Sequence, residues 1–296
     1  MQGLVINTQK NLYTVKYNNE QIICSITGKL LKQKENIKSL VVVGDIVDFD
    51  IVNNHNGLIK TISPRKTKFS RRGVGDDSRY EQIIASNIDQ IIIVCSVHNP
   101  RYKLNGIDRY IVGAKSGGIE PIICFNKVDM IDIDEIKEDI DNYNKLGIKT
   151  ICTSSFKNTG IDELKDILKD KISVLSGSSG VGKSSLTNSV FQYDIAKTNA
   201  ISSMYGKGKH TTTSTYLYEL PFGGMLLDTP GMREFSLIDT NESVDKSFKD
   251  ILDLSANCKF KNCTHIHEPK CAVKLAVENN EISEQRYKSY IKLSKK

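Results

Sequence analysis

No stretch of this 296-residue chain approaches the roughly 18 consecutive apolar residues that a membrane-crossing helix needs, which excludes a helical membrane span. Its first residues, Met1-Gln2-Gly3-Leu4, lack the basic-then-apolar build of a secretory signal. It contains no internal repeat and no low-complexity tract, so repeat architectures are set aside. A cytoplasmic protein is expected. Seven cysteines, an odd number, argue against a disulfide framework in a reducing compartment. Cys24, Cys95, Cys124 and Cys152 are scattered, and the last three lie in apolar, strand-like runs where a cysteine acts as a small core residue.

What is present is ordinary globular composition, 39% hydrophobic and 26% charged, with room for two or three domains. The net charge of +6 is unevenly placed: residues 1–72 carry +7, residues 258–296 carry +5, and the middle carries −6. Two basic ends around an acidic centre point to polyanion contacts made by the ends.

Residues 1–62 read as about five short strands: Leu4–Ile6, Tyr13–Val15, Ile22–Cys24, Val41–Val43 and Ile46–Phe49. Asn18-Asn19, Gly44-Asp45 and Asn53-Asn54 supply turn chemistry between them. This suits a small barrel of the OB type, with an SH3-like barrel as the alternative. A basic stretch, Ser63 to Arg72, runs into a polar, glycine-containing segment and reads as a linker. From about residue 88, apolar strands at Ile91–Val94, Ile122–Phe125, Ile151-Cys152 and Ile172–Leu175 alternate with helical patterns such as Ile161–Leu168. That alternation predicts a mostly parallel sheet covered by helices on both faces. The expected division is a barrel at 1–67, a linker at 68–87, an α/β domain at 88–240 and a mostly helical C-terminal domain at 241–296.

Gly177-Ser178-Ser179-Gly180-Val181-Gly182-Lys183-Ser184 matches the phosphate-loop pattern G-x-x-x-x-G-K-[ST]. It follows a predicted strand and precedes the helical Ser185–Val190, the context that the motif requires. Inward-pointing amides at a helix N-terminus surround phosphate oxygens. Lys183 would reach the β- and γ-phosphates, and the Ser184 hydroxyl would bind Mg²⁺.

Asn126-Lys127-Val128-Asp129, after the strand Ile122–Phe125, has the form N-K-x-D. A carboxylate at Asp129 can accept from both N1–H and the exocyclic amine of guanine; adenine lacks that donor pair. Thr153-Ser154-Ser155 is similar to the S-A-[KH] element on the base side, with Ser155 in place of alanine and Phe156 in place of the basic residue. Asp228-Thr229-Pro230-Gly231 matches D-x-x-G: Asp228 would hold Mg²⁺ through water, and the Gly231 amide would sense the γ-phosphate. In the loop Gly206–Thr213, Thr212 is the expected switch threonine and Mg²⁺ ligand, with Thr211 the alternative. The base-reading elements precede the phosphate elements here, the reverse of the usual order for a GTPase. A sheet can host either order when chain ends lie close together.

Cys258-x₄-Cys263-x-His265-x₅-Cys271 offers three sulfurs and an imidazole, a closed Cys₃His set for one structural Zn²⁺, with His267 the alternative nitrogen ligand.

The permuted order, the Gly208-Lys209-His210-Thr211-Thr212-Thr213 loop and the C-K-F-x-x-C-x-H-x-x-E-P-x-C run at Cys258–Cys271 together resemble the bacterial family of ribosome small-subunit-dependent GTPases, RsgA, also called YjeQ or YloQ. The likeness covers nearly the whole chain. It implies an OB-type barrel, a permuted GTPase and a zinc domain, binding to the small (30S) ribosomal subunit and its rRNA, and GTP hydrolysis during late subunit maturation. A monomer that cycles between GTP and GDP is expected. Met232 follows D-x-x-G, where many GTPases place a water-orienting glutamine. His210 is therefore the candidate catalytic group, a role that the resemblance also implies, alongside Thr212 and Lys183. Gly180 stands where potassium-activated relatives carry asparagine, so no specific K⁺ dependence is expected. The alternative is a stand-alone metabolic or signalling GTPase with no ribosomal partner. A DNA-binding zinc protein fits less well, because the spacing lacks the C₂H₂ pattern.

Overall fold

A computed structural model describes residues 1–9, 11–33, 40–53, 56–72, 81–191, 215–228 and 241–294. In the N-terminal part, alternating sequences make strands β1 (Gln2–Gln9), β2 (Leu12–Tyr17), β3 (Glu20–Ile26), β4 (Ile46–Asn53) and β5 (Asn56–Ile62), with the short helix α1 (Gly28–Gln33) after β3. In β3, for example, Ile22, Cys24 and Ile26 point inward while Gln21, Ile23 and Ser25 are exposed. The strands pair in the order β1-β2-β3-β5-β4, and β4 closes back on β1. The β3–β5 pairing is parallel, whereas β1–β2, β2–β3 and β4–β5 are antiparallel. A closed five-stranded barrel with a helix between its third and fourth strands is the OB arrangement, which decides against the SH3-like alternative.

The fifth strand is not where the sequence put it. Val41–Val43 is a buried loop that packs into the cores, with a β-bridge to the sheets only from Val43 to Ala85. The Val42 N–H is taken by the Asp45 carboxylate at 2.8 Å, which turns the chain. The strand is β5, whose polar residues hide its alternation. Residues 68–87, read above as a linker, contain an antiparallel hairpin of β6 (Lys68–Arg72) and β7 (Glu81–Ser86). Its basic flank obscured Phe69, which is 1% exposed and packs into the core of the next domain.

The α/β domain comprises β8 (Gln90–Ser96), α2 (Leu104–Ser116), β9 (Glu120–Asn126), α3 (Lys137–Lys145), β10 (Lys149–Thr153), α4 (Ile161–Leu168), β11 (Ile172–Ser176), α5 (Lys183–Phe191), β12 (Tyr216–Glu219) and β13 (Met225–Asp228). The strand order is β10-β9-β8-β11-β13-β12, all parallel except the β12–β13 pair. Every residue of β8 is buried. Ile91, Ile93 and Cys95 enter the core on one face, and Ile92 and Val94 enter the core on the other. Each of these isoleucines and the valine contributes about 1.5–3 kcal/mol by leaving water. Because these strands are parallel, Ser96, Asn126, Thr153, Ser176 and Asp228 all arrive at one edge of the sheet.

Four helices follow: α6 (Asn241–Ser247), α7 (Lys249–Ser255), α8 (Ala272–Glu278) and α9 (Glu284–Ser294). Phe248, Ile251, Val273, Tyr290 and Leu293 pack together with Val112 of α2. Arg286 crosses this junction, gripping Asp250 at 2.8 Å from both Nε and Nη2 and reaching Asp108 of α2 at 3.4 Å. Its guanidinium lies 4.2 Å from the centre of the Phe248 ring. At the other end, β1 pairs with β12 at Asn7 and Tyr216, and Lys16 meets Glu219 at 2.7 Å. Fully buried Asp45 receives Arg65 at 2.7 Å and Ser86 at 2.6 Å. None of the described helices is long and apolar enough to cross a membrane.

Candidate nucleotide and metal sites

The loop between β11 and α5 turns at Gly177 and Gly182, with φ of 151° and 99°. Both positions exclude a side chain. A Cβ on Gly177 would sit 2.2 Å from the Val94 carbonyl oxygen, and one on Gly182 would sit 2.3 Å from Asn126 Nδ2. Lys183 opens α5 and folds back over the loop, donating to the carbonyls of Gly177 (2.7 Å) and Ser178 (2.8 Å). Burial lowers the pKa of its ammonium, because desolvation disfavours the charged form. Ser184 and Ser185 are exposed on the first turn of α5.

Two of the base-reading candidates, Asn126 and Lys127, touch this loop directly. Asn126, 2% exposed, donates from Nδ2 to the Val181 carbonyl at 2.9 Å. Lys127 has a left-handed φ of 68°, uncommon for a non-glycine residue. Its Nζ donates to the carbonyls of Gly180 (2.8 Å) and Asn99 (2.7 Å), so its aliphatic stem is stretched along the phosphate loop. Val128 begins a single 3₁₀ turn that leaves Asp129 exposed. The Ser154 hydroxyl donates to Asp129 Oδ1 at 2.5 Å, and Thr153 Oγ1 donates to Asn126 Oδ1 at 3.1 Å. Ser155 Oγ is buried and finds no hydrogen-bond partner among the described residues. The backbone of Asp228 ends β13 one step beyond Leu227, which pairs with Val174 of β11. His210, Thr211, Thr212, Gly231 and Met232 lie outside the described residues, as does the side chain of Asp228.

Cys258, Cys263, His265 and Cys271 bring their four ligand atoms within 4.8 Å of one another. Cys258 Sγ is 3.8 Å from Cys271 Sγ and 3.6 Å from His265 Nδ1, and His265 Nδ1 is 3.3 Å from Cys271 Sγ. Tetrahedral Zn²⁺ with bonds of about 2.3 Å to sulfur and about 2.0 Å to nitrogen sets ligand atoms roughly 3.5–3.8 Å apart, so the donor set fits that ion. The Tyr287 hydroxyl donates to the His265 carbonyl at 2.5 Å. Glu268 accepts from the N–H (2.9 Å) and hydroxyl (2.8 Å) of Thr264, which draw its carboxyl down to about 2, and from the Ile266 N–H (3.2 Å). His267 is exposed and stands outside the cluster.

Two family models match the chain: "RsgA GTPase" over residues 62–238 and "RsgA N-terminal domain" over residues 2–59. The chain belongs to the RsgA GTPase family. It is a GTPase with a permuted order of nucleotide motifs. It is 39% identical over 303 residues to the small ribosomal subunit biogenesis GTPase RsgA of Flavobacterium psychrophilum, covering 99% of this chain and 92% of that one. The protein of that name from Caldanaerobacter subterraneus subsp. tengcongensis is 39% identical over 293 residues, with 99% and 94% covered. Among solved structures, YjeQ from Thermotoga maritima superposes with a TM-score of 0.77 at 34% identity, covering 99% of this chain and 97% of that one. YloQ, described as a circularly permuted GTPase, gives 0.73 at 29% identity, with 99% and 93% covered.

Sequence reasoning missed the supports of this candidate site. Thr153 was seen only as the lead-in to Ser154, and Asn99 not at all. Thr153 could have been found from its place at a strand end beside Asn126. Nothing in the sequence signals Asn99, which acts through its backbone carbonyl.

Proposed function

We propose that this GTPase is a maturation factor of the small ribosomal subunit. In this reading it binds GTP across the sheet edge, contacts the subunit and its rRNA through the basic barrel and C-terminal domain, and hydrolyses GTP fastest when docked. The observation that carries the nucleotide part is the hydrogen bond from Asn126 to Val181, which joins the base-side and phosphate-side loops into one cleft. Asp129 reads the guanine edge and Ser154 aims its carboxylate. The loop Gly177–Gly182 and Lys183 hold the phosphates. Ser184, Thr212 and Asp228 would hold the Mg²⁺ that offsets phosphate charge.

The names of the 39%-identical relatives, small ribosomal subunit biogenesis GTPases, support the ribosomal partner. The +7 charge of residues 1–72 agrees with binding a polyanion. The zinc site is structural: its four protein ligands leave no open position, and Cys271 is packed into the C-terminal core. His210 is the water-orienting group in this reading.

GTP turnover with and without purified small subunits tests the proposal. Strong stimulation that fades steeply as salt rises supports it. Salt-insensitive turnover that ignores subunits favours a stand-alone GTPase.

A further inference from the structure

The turn after β10 is tightly closed. The Ser154 N–H donates to the Thr159 carbonyl at 3.0 Å, and the Lys157 N–H donates to Ser154 Oγ at 3.0 Å. Ser154 is fully buried, with its hydroxyl on Asp129. At the tip of this fixed turn, Phe156 is 84% exposed, more than any other large apolar side chain among the described residues. The Lys157 ammonium lies 5.6 Å from the centre of this ring, and most of the ring's apolar surface is left unburied. Phe156 stands two residues from the side chain that orients the base-reading carboxylate.

We infer that Phe156 is a stacking residue for the purine ring. It covers one face of the base while the stretched stem of Lys127 lies against the other. This rests on the reading that Asp129 binds guanine. The chemistry assigns the two residues different tasks. Asp129 reads hydrogen-bond donors on the base edge and so gives specificity. A phenyl ring has no donor or acceptor and stacks on any purine, so Phe156 gives affinity without discrimination. The neighbouring Ser155 hydroxyl, buried without a hydrogen-bond partner among the described residues, lines the same turn.

The chain contains no tryptophan, so Phe156→Trp creates a single reporter at this position. The test measures binding of GDP and of inosine diphosphate to the full-length protein, Phe156→Ala, Phe156→Trp and Asp129→Asn. Phe156→Ala should weaken both nucleotides by the same factor, roughly 5- to 100-fold. The tryptophan of Phe156→Trp should change its emission saturably as GDP is added. Unchanged affinity in Phe156→Ala, alongside weakened GDP binding in Asp129→Asn, overturns the stacking role and leaves the guanine reading intact. Unchanged GDP affinity in both variants overturns the guanine reading and the stacking role with it. If Phe156→Ala alters only stimulation by small subunits, the ring belongs to a partner surface and the inference fails.

Discussion

Asn126 Nδ2 donates to the main-chain carbonyl of Val181 at 2.9 Å, across 55 residues of sequence. Its other amide atom, Oδ1, accepts from Thr153 Oγ1 at 3.1 Å. One side chain therefore ties together the ends of β9 and β10 and the loop after β11. Motifs in reversed order along the chain meet at this amide.

Replacing Thr153 with Val keeps the shape and removes the donor, leaving a buried acceptor on Asn126 unpaired, at a cost of about 1–3 kcal/mol. Thr153→Val should raise the Kd for GDP by roughly 5- to 100-fold, measured by isothermal titration, while zinc content stays unchanged.

The metal site predicts one zinc per chain by elemental analysis. His265→Ala should lose it and His267→Ala should retain it, because only His265 lies among the three sulfurs. Chelation should unfold the C-terminal helices first, since Cys271 belongs to their core.

Arg286 makes a pH-dependent prediction. Burial raises the pKa of Asp108, while the nearby Arg286 pulls it back down. In Arg286→Ala the Asp108 carboxylate, 3% exposed, loses its cation, at a cost of about 3–5 kcal/mol. Its folded-state pKa then rises further above the unfolded value. A raised pKa means that the folded state binds the proton more tightly, so stability is retained below the unfolded pKa and lost as pH rises through the folded one. Urea denaturation should therefore find the deficit of Arg286→Ala smallest at acid pH and growing toward neutrality. Arg286→Lys should not restore the loss, because an ammonium cannot grip Asp250 with two nitrogens and stack on Phe248.

His210→Ala should leave GDP affinity within about twofold of the parent and remove about 100-fold or more of the subunit-stimulated turnover in single-turnover assays. Unchanged stimulated turnover would remove His210 from the mechanism.

The parts of the protein that read clearly from sequence are those where local chemistry is restrictive. The phosphate loop was legible because Gly177 and Gly182 occupy backbone conformations and spaces that admit no side chain. Strand β8 was legible because burial on both faces leaves an unbroken apolar run. Strand β5 was not, since Lys60 and Thr61 face water and dilute its pattern. The β6–β7 hairpin was hidden because arginines dominate the segment around Phe69. The Arg286–Asp108 contact joins residues 178 apart and depends wholly on how α9 packs on α2. Thr153 looked like an ordinary strand-end residue until the β9–β10 register placed it beside Asn126.

The central claim is that Asp129 and Lys183 bind opposite ends of one guanine nucleotide, and exchanging the base tests it most directly. In Asp129→Asn the amide can donate to the 2-oxo group of xanthine, where a carboxylate would accept from the amine of guanine. Equilibrium titration of this variant should show GDP binding weakened by about 100-fold or more and xanthosine diphosphate binding gained. Adding Lys183→Ala should abolish the gained binding, because the same ligand loses its phosphate contact. Undiminished GDP affinity in Asp129→Asn would contradict the account.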